Sequence, residues 1–224
     1  LHFIFMMSVK IQQTPRPRPS PKPNPNPNMK IAIEGNIGCG KSTVISRLCA
    51  ETRLPIFLEP VDDWKDWLTL FYNDPARYGL AFNLNVLMTF NKWKGNEFQA
   101  IYERSPLSNR FVFAELQKDH GKMNALELDL FHNLYLELGW LPDVIIYIKT
   151  DPEVCHTRML QRARECESQV PLAYLQDVDE KYEDMILNTP HNVTTITVDG
   201  NRSHEEVYTE VHKIIKRLTR EGLY

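Results

Sequence analysis

Lys30-Ile31-Ala32-Ile33-Glu34-Gly35-Asn36-Ile37-Gly38-Cys39-Gly40-Lys41-Ser42-Thr43 decides the fold. The opening KIAIEG is a short apolar run of the kind that forms a strand buried on both faces. Gly35 to Ser42 satisfies G-x-x-x-x-G-K-[ST] without a mismatch. Glycines let such a loop turn until successive N–H groups point inward around an anion. Beyond it, Val44, Ile45, Leu48 and Cys49 share one face of a helix over 42–50, whose N-terminus favours negative charge. Strand, glycine loop and amphipathic helix in this order are the context the motif needs. Gly35, Asn36, Ile37, Gly38, Cys39, Gly40, Lys41, Ser42 and Thr43 are therefore read as the phosphate-binding part of a nucleotide site. Lys41 brings a point charge to the β and γ oxygens, and the Ser42 hydroxyl a ligand for Mg2+.

Outward from the loop the pattern repeats. Apolar runs in LPIFLEP, QAIYERS, DVIIYIKT and TTITVDG read as further parallel strands. Helical regions are expected at 74–94 and 106–140, from about Pro152, after Pro171, and from Ser203 to Arg220. Alternation of this kind predicts an α/β fold, a parallel five-stranded sheet covered by helices on both faces. Right-handed crossovers then gather the strands' C-terminal ends, and the site, on one edge.

Residues 1–28 differ in kind. From Pro15 to Pro27 every second residue is proline, which forbids helix and sheet and predicts an extended, disordered tail. The organisation expected is thus a tail over 1–28 and one domain over 29–224. The apolar start, LHFIFMM, lacks a basic flank and a cleavage site, so no signal peptide is expected. No apolar run approaches membrane-spanning length, and no membrane partner is expected. Four of the 26 basic residues fall in the tail, leaving 22 against 29 acids and a net −7 for the domain. That balance argues against a nucleic-acid partner. Cys39, Cys49, Cys155 and Cys166 are scattered without metal-ligand spacing, which points to a reducing, intracellular setting. The cytoplasm is expected, with mitochondria or another organelle left open.

The loop alone does not choose among nucleotide-using proteins. A regulatory GTPase needs D-x-x-G and N-K-x-D, yet no Gly has Asp three residues before it, and Asn91-Lys92-Trp93-Lys94 ends in Lys. A motor or ring ATPase wants an acid after a hydrophobic strand, whereas VIIYIKT ends in Lys149-Thr150. The acids at suitable strand ends are Glu59, Glu103 and Asp199. A carboxylate at Glu59 suits an acceptor hydroxyl, which loses its proton as it attacks. Glu103 can hold Mg2+, while Arg104 reaches the reacting phosphate. Gln161-Arg162-Ala163-Arg164-Glu165-Cys166-Glu167 reads either as a solvated helix face, with Arg158 one turn before Arg162, or as a lid whose arginines close over the triphosphate.

The chain resembles the deoxyribonucleoside kinase family from Lys30 to about Leu187. The shared motifs are G-N-I-G-C-G-K-S, E-P-V-x-x-W, Y-x-D-P, E-R-S-x-x-S-x-R-[FY] and R-A-R-x-x-E-x-x-V-P-L-x-Y-L. The resemblance implies a P-loop kinase with an arginine-rich lid, transferring the ATP γ-phosphate to the 5′-hydroxyl of a deoxynucleoside for nucleotide salvage, with Mg2+. By that resemblance Glu59 is the general base, with Arg104 and Lys41 completing the catalytic set, and Glu103 and Ser42 are the Mg2+-side groups. Tyr72 and Glu167 hold the sugar 3′-hydroxyl, Trp64, Phe82 and Phe113 enclose the base, and Arg162 and Arg164 are the lid arginines at ATP. A homodimer through the apolar helices of 74–140 is also implied.

Two positions depart from the family pattern. Asn83 stands where pyrimidine-preferring members carry a base-pairing glutamine. Asn109 occupies a position that is small in pyrimidine enzymes and acidic in those taking purine nucleosides or deoxycytidine. Phe90, expected across the pocket, would shrink it in favour of a pyrimidine, thymidine or deoxycytidine. Cys166 replaces a common lid acid, with little effect expected. A nucleoside monophosphate kinase such as thymidylate kinase is the nearest alternative, but it places Arg where this chain has Leu58 before Glu59-Pro60. A non-catalytic nucleotide sensor would leave Glu59, Arg104 and the lid idle.

Overall fold

A computed structural model describes residues 27–162, 164, 167 and 170–220. The tail expected over 1–28 therefore lies, but for its last two residues, outside the described residues, as does Cys166. The strands are β1 (Lys30–Glu34), β2 (Ile56–Phe57), β3 (Ala100–Glu103), β4 (Val144–Lys149) and β5 (Thr194–Asp199). They form one parallel sheet in the order β2-β3-β1-β4-β5. Strand order reverses at β1, so the crevice past its C-terminal end is where a parallel α/β sheet binds ligands. The glycine loop opens directly onto that crevice.

Side-chain alternation sorts the core. Ile31, Ile33, Ile146 and Ile148 face α1 (Lys41–Glu51), α7 (Pro152–Arg162) and α9 (His204–Arg220), packing on Val44, Ile45, Leu48, Cys155, Met159 and Val211. Ile145 and Tyr147 face the other way, onto Leu107, Val112 and the Val178, Tyr182 and Met185 stripe of α8 (Leu172–Leu187). Two further helices, α3 (Pro75–Asn91) and α6 (Ala125–Leu138), pack together through Leu87, Leu128 and Phe131. Among the described residues no helix is long and apolar enough to cross a membrane.

Three local expectations change. The second strand is only Ile56–Phe57, because Pro55 and Pro60 bracket it and neither can donate to a ladder. Glu59 therefore lies two residues past the strand rather than at its end. A helix the pattern did not reveal, α2 (Lys65–Asn73), precedes α3, and the Asp74 side chain accepts from the Arg77 N–H to start the next helix. The region 106–140 is not one helix. It runs α4 (Pro106–Ser108), a π-helical turn over Asn109–Ala114, α5 (Glu115–Asp119), a reversal at Gly121 with φ 65°, and α6. Asn124 and Glu127 form the capping box that restarts the chain as α6.

Candidate active site

The glycine loop folds tightly against the rest of the protein. Gly38 has φ 79°, and a Cβ there would sit 2.2 Å from the Cys155 carbonyl oxygen, so only glycine fits. Lys41 is buried and its Nζ donates to the carbonyls of Gly35 and Asn36, both at 2.8 Å, which holds the ammonium inside the loop. Asn36 ties the loop to α8 by donating to the Leu175 carbonyl at 2.8 Å. Arg158 clamps the other side, donating to the carbonyls of Cys39 (3.3 Å), Gly200 (2.8 Å) and Arg202 (3.2 Å). It is thus a staple for the loop and neither a solvated residue nor part of a lid. Ile37, Gly38, Lys41 and Ser42 line a cavity of about 550 Å³, whereas Cys39 is buried behind them and Thr43 is exposed on the first turn of α1.

The acidic side faces the loop across this cavity. Glu103 accepts from the Ser42 hydroxyl at 3.0 Å through one oxygen and from the Glu59 N–H at 3.3 Å through the other. Two hard oxygen donors this close beside a triphosphate loop fit Mg2+, which takes few protein ligands and completes its shell with phosphate and water. Glu59 and Arg104 form a nearly buried ion pair at 2.6 Å, and both line the cavity. Burial raises the Glu59 carboxyl above its usual range, more than the Arg104 charge lowers it, and the nearby Glu103 adds to the rise. The result is a stronger base than an exposed carboxylate. Arg104 is the one non-glycine residue with positive φ (59°) among those described, a conformation that persists only where surroundings hold it. Its guanidinium is held at every nitrogen: by Glu59, by the Gly35 carbonyl at 3.2 Å, and by the Tyr182 hydroxyl at 3.0 Å. Asp199 ends the edge strand β5 and does not line this cavity. Glu34 is a further strand-end acid, which the motif pattern did not single out. It is wholly buried beside the loop.

Farther from the loop the walls turn apolar. Trp64, Phe82 and Phe113 line the cavity, with Trp64 meeting Phe82 edge-on at 6.2 Å and its indole N–H donating to Thr89 at 3.2 Å. Tyr72, at the end of α2, lines it as well. Asn83 and Asn109 are both buried, and their amides are joined: Asn83 Nδ2 donates to the Gly79 carbonyl at 2.8 Å, and its Oδ1 accepts from Asn109 Nδ2 at 3.0 Å. The Gly79 carbonyl can only accept, so this orientation is forced along the whole chain, and Asn109 Oδ1 is left as a buried acceptor without a partner. The π-helical turn carries both Asn109 and Phe113 to the cavity, a common use of that geometry at functional sites. Phe90 is not at the wall. It packs behind Trp64 and Val86 against Tyr102 and Trp140, and Val86 lines the cavity one turn earlier. The expected narrowing by Phe90 is therefore indirect at most.

Arg162, Arg164 and Glu167 come together at the same cavity. Glu167 is buried and pairs with Arg162, and with Arg164 at 3.5 Å. Thus, Phe90 apart, the expected substrate-side residues from Glu59 to Glu167 line one cavity. The contributions invisible in the motifs are Arg158, Glu34 and Tyr182, each a single residue in a helix or strand with no pattern of its own.

Comparison with known proteins agrees with this geometry. The family model described as deoxynucleoside kinase matches residues 31–220. A kinase protein of Invertebrate iridescent virus 3 is 33% identical over 194 residues, covering 85% of this chain and 97% of its own. A thymidine kinase of Ictalurid herpesvirus 1 is 34% identical over 197 residues, covering 83% and 85%. A solved deoxyadenosine kinase from M. mycoides, with dCMP and dCDP bound, superposes with TM-score 0.77 at 20% identity, over 85% of this chain and all of that one, and so shares the fold. The match runs through sheet, loop and lid alike, and on that extent the chain belongs to the deoxynucleoside kinase family of ATP-dependent phosphotransferases.

Proposed function

We propose that this deoxynucleoside kinase acts on a pyrimidine, thymidine or deoxycytidine or both, and delivers the 5′-monophosphate for nucleotide salvage. The observation that carries the catalytic part is the Glu59–Arg104 pair, which opens onto the same cavity as Lys41 and Ser42. Glu59 takes the 5′-hydroxyl proton as that oxygen attacks the γ-phosphorus, and the bond to ADP breaks. Arg104 and Lys41 balance the charge spreading over the phosphoryl oxygens. Mg2+, held by Ser42 and Glu103, would neutralise the β and γ oxygens. Tyr72 and Glu167 hold the sugar, and Arg162 and Arg164 reach the phosphates from the lid.

For the base, support comes from the thymidine kinase relative, which favours a pyrimidine. The Asn109 Oδ1 acceptor can take the N3–H of thymine or the N4 amine of cytosine, though a purine N–H would serve it as well. A nucleoside monophosphate as acceptor is disfavoured, because a carboxylate stands where its phosphate would need cations. The test is a panel of the four deoxynucleosides and their monophosphates with labelled ATP. Phosphorylation of thymidine or deoxycytidine is expected. Turnover of monophosphates alone would refute the hydroxyl acceptor, and exclusive use of purines would refute the base assignment. We also propose a homodimer through α3 and α6, where Met88, Leu126 and Leu130 are exposed. Light scattering at twice the chain mass supports it, and a monomer at assay concentration excludes it.

A further inference from the structure

Among the wholly buried polar side chains that the transfer as described leaves unused are Glu34 at the end of β1 and Tyr182 in α8. Burying a carboxylate inside a packed fold is costly unless its hydrogen bonds are all made. Here they are. Glu34 Oε1 accepts from the Ser105 hydroxyl at 2.7 Å and lies 3.1 Å from that of Ser108, and Oε2 is 3.1 Å from the Tyr182 hydroxyl. The Tyr182 oxygen in turn lies 3.0 Å from Arg104 Nε. Because Arg104 can only donate, the tyrosine oxygen accepts from it and donates its own O–H to Glu34. The order of donors therefore runs one way, from Arg104 through Tyr182 to Glu34, and it is complete when Glu34 is a carboxylate.

We propose that Glu34 and Tyr182 are positioning residues for phosphoryl transfer, a buried chain that fixes the Arg104 guanidinium against Glu59. The proposal rests on the reading of Glu59 as the base for the hydroxyl and of Arg104 as its partner at the phosphoryl oxygens. Arg104 sits on a left-handed backbone that its own preferences do not maintain, so its aim depends on what grips the side chain. Two of its grips, Glu59 and the Gly35 carbonyl, belong to the site, and the third comes from outside it. Tyr182 is the external reference. Ser105 and Ser108, the first residues after Arg104 to point at Glu34, close the loop between backbone and anchor.

The test is steady-state kinetics at pH 8, where Glu34 is ionised, on Tyr182→Phe, Glu34→Gln and the double variant, each confirmed folded by thermal melting. Tyr182→Phe is expected to lower kcat by about tenfold to a hundredfold, the scale of a small misplacement of a catalytic group, while KM for nucleoside and ATP changes by less than about twofold. The double variant should lose no more than the worse single, since both act through Arg104. Tyr147 is the control. It stacks on Tyr182 with ring centres 5.7 Å apart and donates to Glu183 at 3.0 Å, so Tyr147→Phe should keep wild-type kcat. Wild-type kcat in folded Tyr182→Phe would overturn the proposal, as would an equal loss in Tyr147→Phe, which would mark a packing effect. If Glu34→Gln fails to fold, Tyr182→Phe decides alone. Glu59→Gln is assayed in the same series: wild-type turnover there would refute the base, whereas a loss there with none in Tyr182→Phe would refute only the positioning chain.

Discussion

The two ends of the cavity are built on different principles. At the phosphate end each functional group is held redundantly: Lys41 by two carbonyls, the loop by Asn36 and Arg158, and Arg104 at all three nitrogens. At the apolar end three aromatic rings line the cavity, and the buried side-chain amides form one pair, Asn83 and Asn109. On the function proposed above, the chemistry common to all deoxynucleosides is fixed by many bonds and the choice among bases by few. One substitution is therefore expected to change what is bound more readily than what is done to it.

That contrast can be broken at its strong end. Glu59→Gln should lower kcat by about 10²- to 10⁴-fold with ATP binding retained, measured by turnover and by nucleotide titration. Gly38→Ala should cost more than about 1 kcal/mol of stability and weaken ATP binding, because a Cβ meets the Cys155 carbonyl at 2.2 Å on a backbone with φ 79°. Chemical denaturation with and without ATP reads both effects.

At the weak end the same contrast can be sharpened. Asn109→Ala removes the unpartnered acceptor and should lower kcat/KM for the preferred nucleoside by about tenfold, the value of one hydrogen bond, with kcat for a poor substrate little changed. Asn83→Gln extends the amide by one methylene, and should raise efficiency with thymidine or deoxycytidine several-fold; a loss would place the base elsewhere. The smallest effect concerns pH. Burial raises Glu34 to about 7, above its unfolded value of 4.5. The unfolded chain therefore gives up this proton first, and the group's contribution to stability falls as pH rises from about 4.5 to about 7, then levels off. Denaturation at pH 5 and pH 8 should show that fall reduced in Glu34→Gln.

Much of this was legible in the residues before any coordinates. The five strands follow from apolar runs, and the glycine loop from spacing with a mechanism behind it. Site residues that carry motifs, such as Glu59, Arg104 and Glu167, all reach the cavity. What was not legible has physical causes. Helix α2 is short and amphipathic among tryptophans, so its period is hard to see. The 106–140 region reads as one helix because its apolar spacing continues through the π turn, although Gly121 and the Asn124–Glu127 box mark the break. The family resemblance places Phe90 at the wall, whereas here it packs in the core behind Trp64 and Val86, and no local pattern distinguishes a residue at the cavity wall from one a turn behind it. Arg158, Glu34 and Tyr182 act through partners distant in sequence, up to 148 positions away for the Glu34–Tyr182 contact, which no local pattern encodes.

The prolines bracketing β2 free Glu59 from the sheet, and they also shape that edge of it. An outer strand of two residues, with Pro55 before it and Pro60 shortly after, offers too few free N–H and C=O groups to template another chain. The same two rings that carry the chain out of the sheet before Glu59 also blunt the β2 edge against pairing with another chain, whereas the six-residue β5 forms the opposite edge.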